Sequence, residues 1–175
     1  VTDPYTDLDT IAAVGFEDIV PSTWFAAARD NFETLARSPG CVVRRTATQS
    51  IGNAGLDEIE YTAADDRDTD GFHSTSVNPT RMTVPAGLGG WYRFGGSATF
   101  ASNSTGNRIL QPRVNGSTSY EAITWTGVVA STFIYPDIPI LLVPGDYVEM
   151  LCYQNSGGAL NITAARAWLR LVDWP

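Results

Sequence analysis

The chain has no lysine. All 11 of its basic residues are arginine, set against 19 acidic residues, which gives a net charge of −8. A surface that grips a nucleic-acid duplex neutralises phosphates with clustered basic groups, and a polybasic membrane patch relies on the same groups. The composition therefore argues against both partners. A single histidine, His73, excludes a His-based catalytic triad and a multi-His zinc centre. Two cysteines, Cys41 and Cys152, allow at most one disulfide. The acidic, polar opening of the chain shows no export signal, so both are expected to be free thiols, acting as small buried hydrophobes in a chain made in a reducing cytoplasm. Long apolar runs are missing too. The longest, Ile138-Pro139-Ile140-Leu141-Leu142-Val143-Pro144, is broken by prolines and is too short to cross a bilayer. Charged residues make up only 17% of the chain, which excludes a disordered charged tail or a charged coiled coil.

What is abundant is turn chemistry. The 16 glycines and 10 prolines of the 175 residues are spread along the chain beside β-branched runs, the punctuation of an all-β domain. The length corresponds to one domain or one domain with an appendage, and the pattern changes near Gly40. Residues 1–40 read as an extended arm and one amphipathic helix. Ser22 or Thr23 caps that helix, and Trp24, Ala28, Phe32 and Leu35 share one of its faces. Ser38-Pro39-Gly40 ends it. Residues 41–175 alternate with period two and yield about ten strands: 42–48, 56–61, 81–84, 91–101, 108–114, 120–126, 128–135, 140–143, 147–153 and 165–172. Asn53-Ala54-Gly55, Asn103-Ser104-Thr105-Gly106, Asn115-Gly116, Pro144-Gly145-Asp146 and Asn155-Ser156-Gly157-Gly158 supply turns between them. Short strands at this spacing make a sandwich, jelly roll or barrel. Trp91, Phe94 and Phe100 are expected in its core.

Several stretches narrow the fold. They are Asp68-Thr69-Asp70-Gly71-Phe72-His73 followed by Asn78-Pro79-Thr80-Arg81-Met82-Thr83-Val84-Pro85, then Gly89-Gly90-Trp91-Tyr92-Arg93-Phe94, then Val143-Pro144-Gly145-Asp146-Tyr147-Val148, and the closing Ala167-Trp168-Leu169-Arg170-Leu171. Their order resembles the jelly-roll head of the complement and tumour-necrosis-factor superfamily, from about Gln49 to Val172. The resemblance implies a homotrimer. The leading segment, from Ile19-Val20-Pro21-Ser22-Thr23-Trp24 through Arg29-Asp30-Asn31-Phe32 to Leu35, resembles the opening of small virion proteins of tailed phages, with Phe25 where asparagine is usual. That implies attachment of the arm and helix to other virion proteins through Trp24, Ala28, Phe32 and Leu35.

Candidate chemistry is sparse. Asp65, Asp66, Asp68 and Asp70 are the densest acidic run and could offer oxygen ligands to calcium, but the run lacks the bidentate glutamate of an EF-hand and reads first as a solvated acidic loop, so no metal or cofactor is expected. Glu58, Glu60, Glu121 and Glu149 are strand carboxylates, and nothing marks a catalytic pair among them. Trp125, Phe133, Tyr135 and Tyr153 are more aromatics than the alternation assigns to a core, and they are expected at a trimer interface or against a cell-wall glycan. Asn103, Ser104, Thr105, Asn155 and Ser156 lie in small polar turns expected to face the host. The sequence reading is thus a non-enzymatic bacteriophage protein assembled in the host cytoplasm, a trimeric tail-tip or fibre head that binds the host surface. The alternatives are a capsid decoration or head fibre and, more weakly supported, a glycan hydrolase. No nucleic-acid contact and no membrane insertion are expected.

Overall fold

The structure is a computed structural model and describes residues 23–26, 28, 29, 32, 38–117, 120–128 and 131–173. The chain divides into two compact units, Val1–Ser38 and Pro39–Pro175. In the first, residues 23–26, 28, 29 and 32 are helical, and Trp24, Ala28 and Phe32 are exposed on that helix. Leu35 lies outside the described residues, as does the arm before residue 23.

The second unit is an antiparallel sandwich. Its strands in chain order are β1 (Gly40–Arg45), β2 (Gln49–Ile51), β3 (Leu56–Glu58), β4 (Arg67–Asp68), β5 (Arg81–Thr83), β6 (Gly90–Phe100), β7 (Asn103–Val114), β8 (Ile123–Val128), β9 (Ser131–Leu142), β10 (Tyr147–Gln154) and β11 (Leu160–Asp173). One sheet runs β4-β1-β11-β6-β9, with β2 pairing on β11 beyond the end of β1. The other runs β3-β10-β7-β8, with β5 pairing on β10 beyond β3. Neighbours in each sheet are mostly distant in sequence, because the chain crosses repeatedly between sheets. The fold is the all-β jelly-roll sandwich that the sequence reading expected.

Alternation explains the core. On β6, Tyr92, Phe94, Ala98 and Phe100 point inward, and on β11, Ile162, Ala165, Ala167, Leu169 and Leu171 do so. From the second sheet Leu110, Val148, Met150 and Cys152 meet them, as expected when two sheet faces interdigitate. Cys41 and Cys152 are both free and buried. Burial pushes both thiols well above their ordinary pKa, so neither offers a thiolate near neutral pH. Asn115 and Gly116 both take positive φ, as a type I′ turn requires. The Asn115 amide locks that turn, donating to Asp146 Oδ1 at 2.7 Å and accepting from the Tyr147 N–H at 2.9 Å.

Strand limits depart from the sequence reading in two informative places. The segments expected at 128–135 and 140–143 form one twelve-residue strand, β9, which absorbs a bulge: Gly96 pairs with Tyr135, but Phe94 pairs with Ile138. Asn103-Ser104-Thr105-Gly106, expected as a free turn, belongs to the start of β7, where pairing with β8 skips from Asn103 to Asn107.

The registers also define two ends. The chain enters β1 at Gly40, opposite Arg170, and the Pro39 carbonyl accepts from the Leu171 N–H at 2.8 Å. Trp91, Leu142 and Asp173 lie at this same end. At the far end lie Ile51, Phe100, Asn103 and Leu160, together with Arg108 and Gln154.

Candidate functional site

The far end collects three segments that are widely separated in sequence: the turns at residues 52–55 and 155–159, and residues 101–107, which lead into and open β7. Side chains buried beneath them hold them together. Arg108 is only 1% exposed, and its guanidinium donates to the carbonyls of Asn103 (2.9 Å), Thr105 (3.1 Å) and Asn107 (2.9 Å). Burial lowers its pKa. Backbone carbonyl dipoles fold around this cation. Gln154 does the same for the other two turns. Its fully buried amide donates to the carbonyls of Ile51, Gly52 and Gly158 and accepts from the Ser156 N–H and hydroxyl.

Cross-links then join turn to turn. The Asn107 N–H donates to Asn155 Oδ1, the Asn155 N–H to the Asn107 carbonyl, and the Gly157 N–H to Asn53 Oδ1 at 2.8 Å. Gly106 has a φ of +73°, and a Cβ there would collide with the Asn155 carbonyl oxygen, so glycine alone allows this approach. The structure thus brings Asn103, Ser104, Thr105, Asn155 and Ser156 to one surface, at the end remote from the entry of the arm. The turn at Asn53 joins that surface, which the sequence reading missed. Its signal was present, since Asn53-Ala54-Gly55 is the same chemistry as the other two turns. None of the three segments contains an ionisable side chain.

The acidic segment is organised by donors. Asp68 accepts four backbone N–H groups, from Asp70, Gly71, Phe72 and His73, at 2.9–3.3 Å. Asp65 binds His73 Nδ1 at 2.9 Å, while His73 Nε2 meets the Pro79 carbonyl at 3.2 Å. Asp66 bridges Arg44 and Arg166 at 3.2 and 2.9 Å. Among the described residues no three His, Cys, Asp or Glu side chains gather as a metal site. Of the weak calcium candidates Asp65, Asp66, Asp68 and Asp70, the first three are engaged as turn caps and ion-pair partners. His73 is a buried clamp between two loops.

Two of the four candidate contact aromatics are corrected. Phe133 and Tyr135 are buried in the core, Phe133 edge-on to Phe100, and Tyr135 reaches the Glu121 carbonyl at 2.9 Å. Trp125 is half-buried and packs on Phe133 with ring centroids 4.9 Å apart. Tyr153 is half-buried on the outer face of the second sheet, opposite Leu56 and Ile109.

On that same outer face the sequence's strand carboxylates find their role. Glu149 is almost fully buried and accepts from Thr80 Oγ1 (2.8 Å), Arg81 Nε (3.2 Å) and Arg113 Nε and Nη2 (2.9 and 2.6 Å). Arg113 also grips Glu58, and Arg81 lies 4.0 Å over the Tyr147 ring. The Arg113 hydrogen bond holds the Glu58 carboxyl below the ordinary range, which is unsuited to a general acid. A depressed folded-state pKa contributes stability that is present above the ordinary glutamate value of about 4.3 and is lost as pH falls through the folded value. Urea unfolding between pH 7 and pH 2 should therefore show a shallower acid decline for Glu58→Gln than for the unaltered chain. Identical pH profiles would remove Glu58 from the linkage.

One surface feature was not foreseen. Trp91 is 42% exposed rather than in the core. It points outward from the first sheet between Leu141 and Asp173, with Val143 and Val172 also exposed at that end. On the same face Trp168 lies across Gly95 and donates its indole N–H to Asp137. The parity of Tyr92, Phe94, Ala98 and Phe100 was the available signal, since it sends Trp91 to the opposite face.

No protein-family model matches the sequence, and no curated protein matches it. Solved structures share the fold. The globular domain of zebrafish complement 1qA protein aligns with a TM-score of 0.57 and 13% identity, over 78% of this chain and 99% of that one. The vertex protein P5 of phage PRD1 aligns with a TM-score of 0.57 and 16% identity, over 77% and 98%. Murine APRIL aligns with a TM-score of 0.51 and 12% identity, over 75% and 99%. At these identities the likeness is one of fold.

Proposed function

We propose that this chain is a non-enzymatic structural protein of a bacteriophage particle, a trimeric head carried on an N-terminal arm. The observation that carries the reading is the apolar patch of Trp91, Leu141, Val143 and Val172 on the outer face of the first sheet. Four large apolar side chains exposed together mark an interaction surface. The occupant is a second copy of the chain, repeated around a threefold axis as the complement- and TNF-like fold suggests. Arginines on that face, Arg93, Arg166 and Arg170, suit such an interface, where arginine is enriched. The helix of the arm, through Trp24, Ala28 and Phe32, together with Leu35 by its place in the sequence, is the attachment to other virion proteins. Trp24 and Phe32, 72% and 70% exposed, await such a partner.

The head so attached projects its far end outward, and contact with the host surface from a tail tip or fibre is the activity we assign to it. A second reading, decoration of the capsid, draws support from the likeness to a vertex protein. Light scattering of the full chain should give three times the 18.9 kDa chain mass. Deleting residues 1–39 should leave a folded trimer that no longer joins particles. A monomeric full chain overturns the trimer, and incorporation of the truncated chain into particles overturns the role of the arm.

A further inference from the structure

We propose that Asn115 is a fold-gated deamidation site. The folded turn withholds its side chain from the reaction, and conversion to aspartate or isoaspartate breaks the lock that the side chain makes.

The chemistry starts in the sequence. Among the asparagines of the chain, Asn115 alone precedes glycine. Glycine has no Cβ to shield its backbone nitrogen. That nitrogen, losing its proton, attacks the side-chain carbonyl carbon of the asparagine. A new C–N bond forms, the C–N bond of the side-chain amide breaks, and the leaving nitrogen departs as ammonia. The product is a cyclic succinimide. Water adds to either of its carbonyls and opens the ring, to aspartate at one and to isoaspartate at the other. Water is the only co-reactant, and nothing is oxidised or reduced. Asn115 and Gly116 are both exposed, so water reaches them.

The structure withholds the reacting atoms from each other. Ring closure needs the Gly116 nitrogen eclipsed with Cβ of Asn115 about the Cα–C bond. Asn115 and Gly116 have φ values of 49° and 77°, and the Val114 and Ser117 backbones bond each other in both directions at 3.1 and 2.8 Å. In such a type I′ turn the first central residue has ψ near about +30°, the mirror image of type I. That angle sets the Gly116 nitrogen almost opposite Cβ. The side chain is fixed too. Its Nδ2 donates to Asp146 Oδ1 at 2.7 Å, and its Oδ1 accepts from the Tyr147 N–H at 2.9 Å. The Asn115 N–H donates to the Tyr147 carbonyl at 3.0 Å. An intramolecular attack is fast only from a near-attack geometry, so this one waits for the turn to open locally.

The products undo the lock. Aspartate at this position has no Nδ2–H to donate and sets a second carboxylate against Asp146, where like charges repel. Isoaspartate adds a methylene to the backbone between Val114 and Ser117, and a two-residue turn has no slack for it. Asp146 also accepts from the Val143 N–H through Oδ2 at 2.8 Å, and its carbonyl accepts from the Val84 N–H at 2.8 Å. The damage therefore reaches the Pro144-Gly145-Asp146 turn and the end of β5.

The test incubates the full chain at mildly alkaline pH, folded and in guanidinium chloride, and follows the peptide containing Asn115 by mass. The folded chain should deamidate there at least about tenfold more slowly than the unfolded one, since reaction is confined to the open fraction. Equal rates overturn the gate. Asp146→Ala should raise the folded rate about two- to tenfold, the effect of one lost hydrogen bond. Asp146→Asn keeps an acceptor oxygen and should leave that rate nearly unchanged. Should Asp146→Ala fail to fold, the comparison on the unaltered chain still decides. Asn115→Asp stands for the product and should lower the urea midpoint, and adding Asp146→Asn should recover it by restoring an amide–carboxylate pair. A midpoint unmoved by Asn115→Asp, or a loss that Asp146→Asn does not repair, overturns the assigned consequence.

Discussion

Glu149→Ala should unfold the head at much lower urea than the unaltered chain. The side chain is 1% exposed by whole residue, and it receives four hydrogen bonds from Thr80, Arg81 and Arg113. Those donors tie β10 to β5 and β7, and through Glu58 to β3. Removing the carboxylate leaves Arg113, 19% exposed, facing Glu58 alone, and leaves Arg81 without its anion. Breaking a buried pair in this way costs about 3–5 kcal/mol, because the partner's desolvation is no longer offset. Glu149→Gln keeps the shape and acceptor oxygen and should lose less. Replacing Glu149 and Arg113 together by leucine should recover much of the loss, since an apolar pair leaves no uncompensated charge. Protein concentration must be matched across variants, because assembly shifts apparent stability. A loss under about 1 kcal/mol for Glu149→Ala would mean that the network behaves as a screened surface pair.

The fold was legible where alternation runs unbroken. β10 follows the period-two pattern, as does β11 from Ala165 to Leu171 between its two register shifts, and the Asn115-Gly116 turn follows from backbone sterics alone. Legibility failed where the register shifts. On β9, three steps from Tyr135 to Ile138 face two steps on β6. The extra residue flips parity, so Phe133 and Tyr135 share the inward side with Ile140 and Leu142 although their numbers alternate oddly with them. Read without the bulge, the two aromatics look surplus to the core and become contact residues. Glu149 and Leu151 were missed for a related reason. They point outward on β10 but are covered by neighbours on strands that only the folded topology brings alongside. The turns at Asn53 and Asn155 were legible as loops, because glycine, asparagine and serine carry the information locally, whereas Asn103-Ser104-Thr105-Gly106 reads as a turn and forms the start of β7. Their meeting at one end was not, because it depends on crossovers between sheets. Arg108 reads as an ordinary strand cation until the backbone carbonyls around it are placed.

The double variant Trp91→Glu and Leu141→Glu should convert the trimer we propose into folded monomers. Both residues lie on one face, directly opposite each other on β6 and β9, and their side chains point away from the core. Neither change opens a cavity, so the thermal stability of the isolated head should be little altered. At an interface the same substitutions remove an aromatic anchor and place carboxylates in a desolvated contact. Hot-spot losses of at least about 2 kcal/mol are usual for such residues. In a closed ring each substitution recurs at three equivalent contacts. Three losses of about 2 kcal/mol weaken assembly by roughly 10⁴-fold. At micromolar protein, light scattering should then report one chain mass in place of three. Val77→Glu is the control, since Val77 is exposed and sits in the loop before β5, away from this face. That variant should keep the trimer. A double variant that remains trimeric would move the interface off the first sheet. A trimer lost in both variants would mean that added charge, not the Trp91 patch, governs assembly.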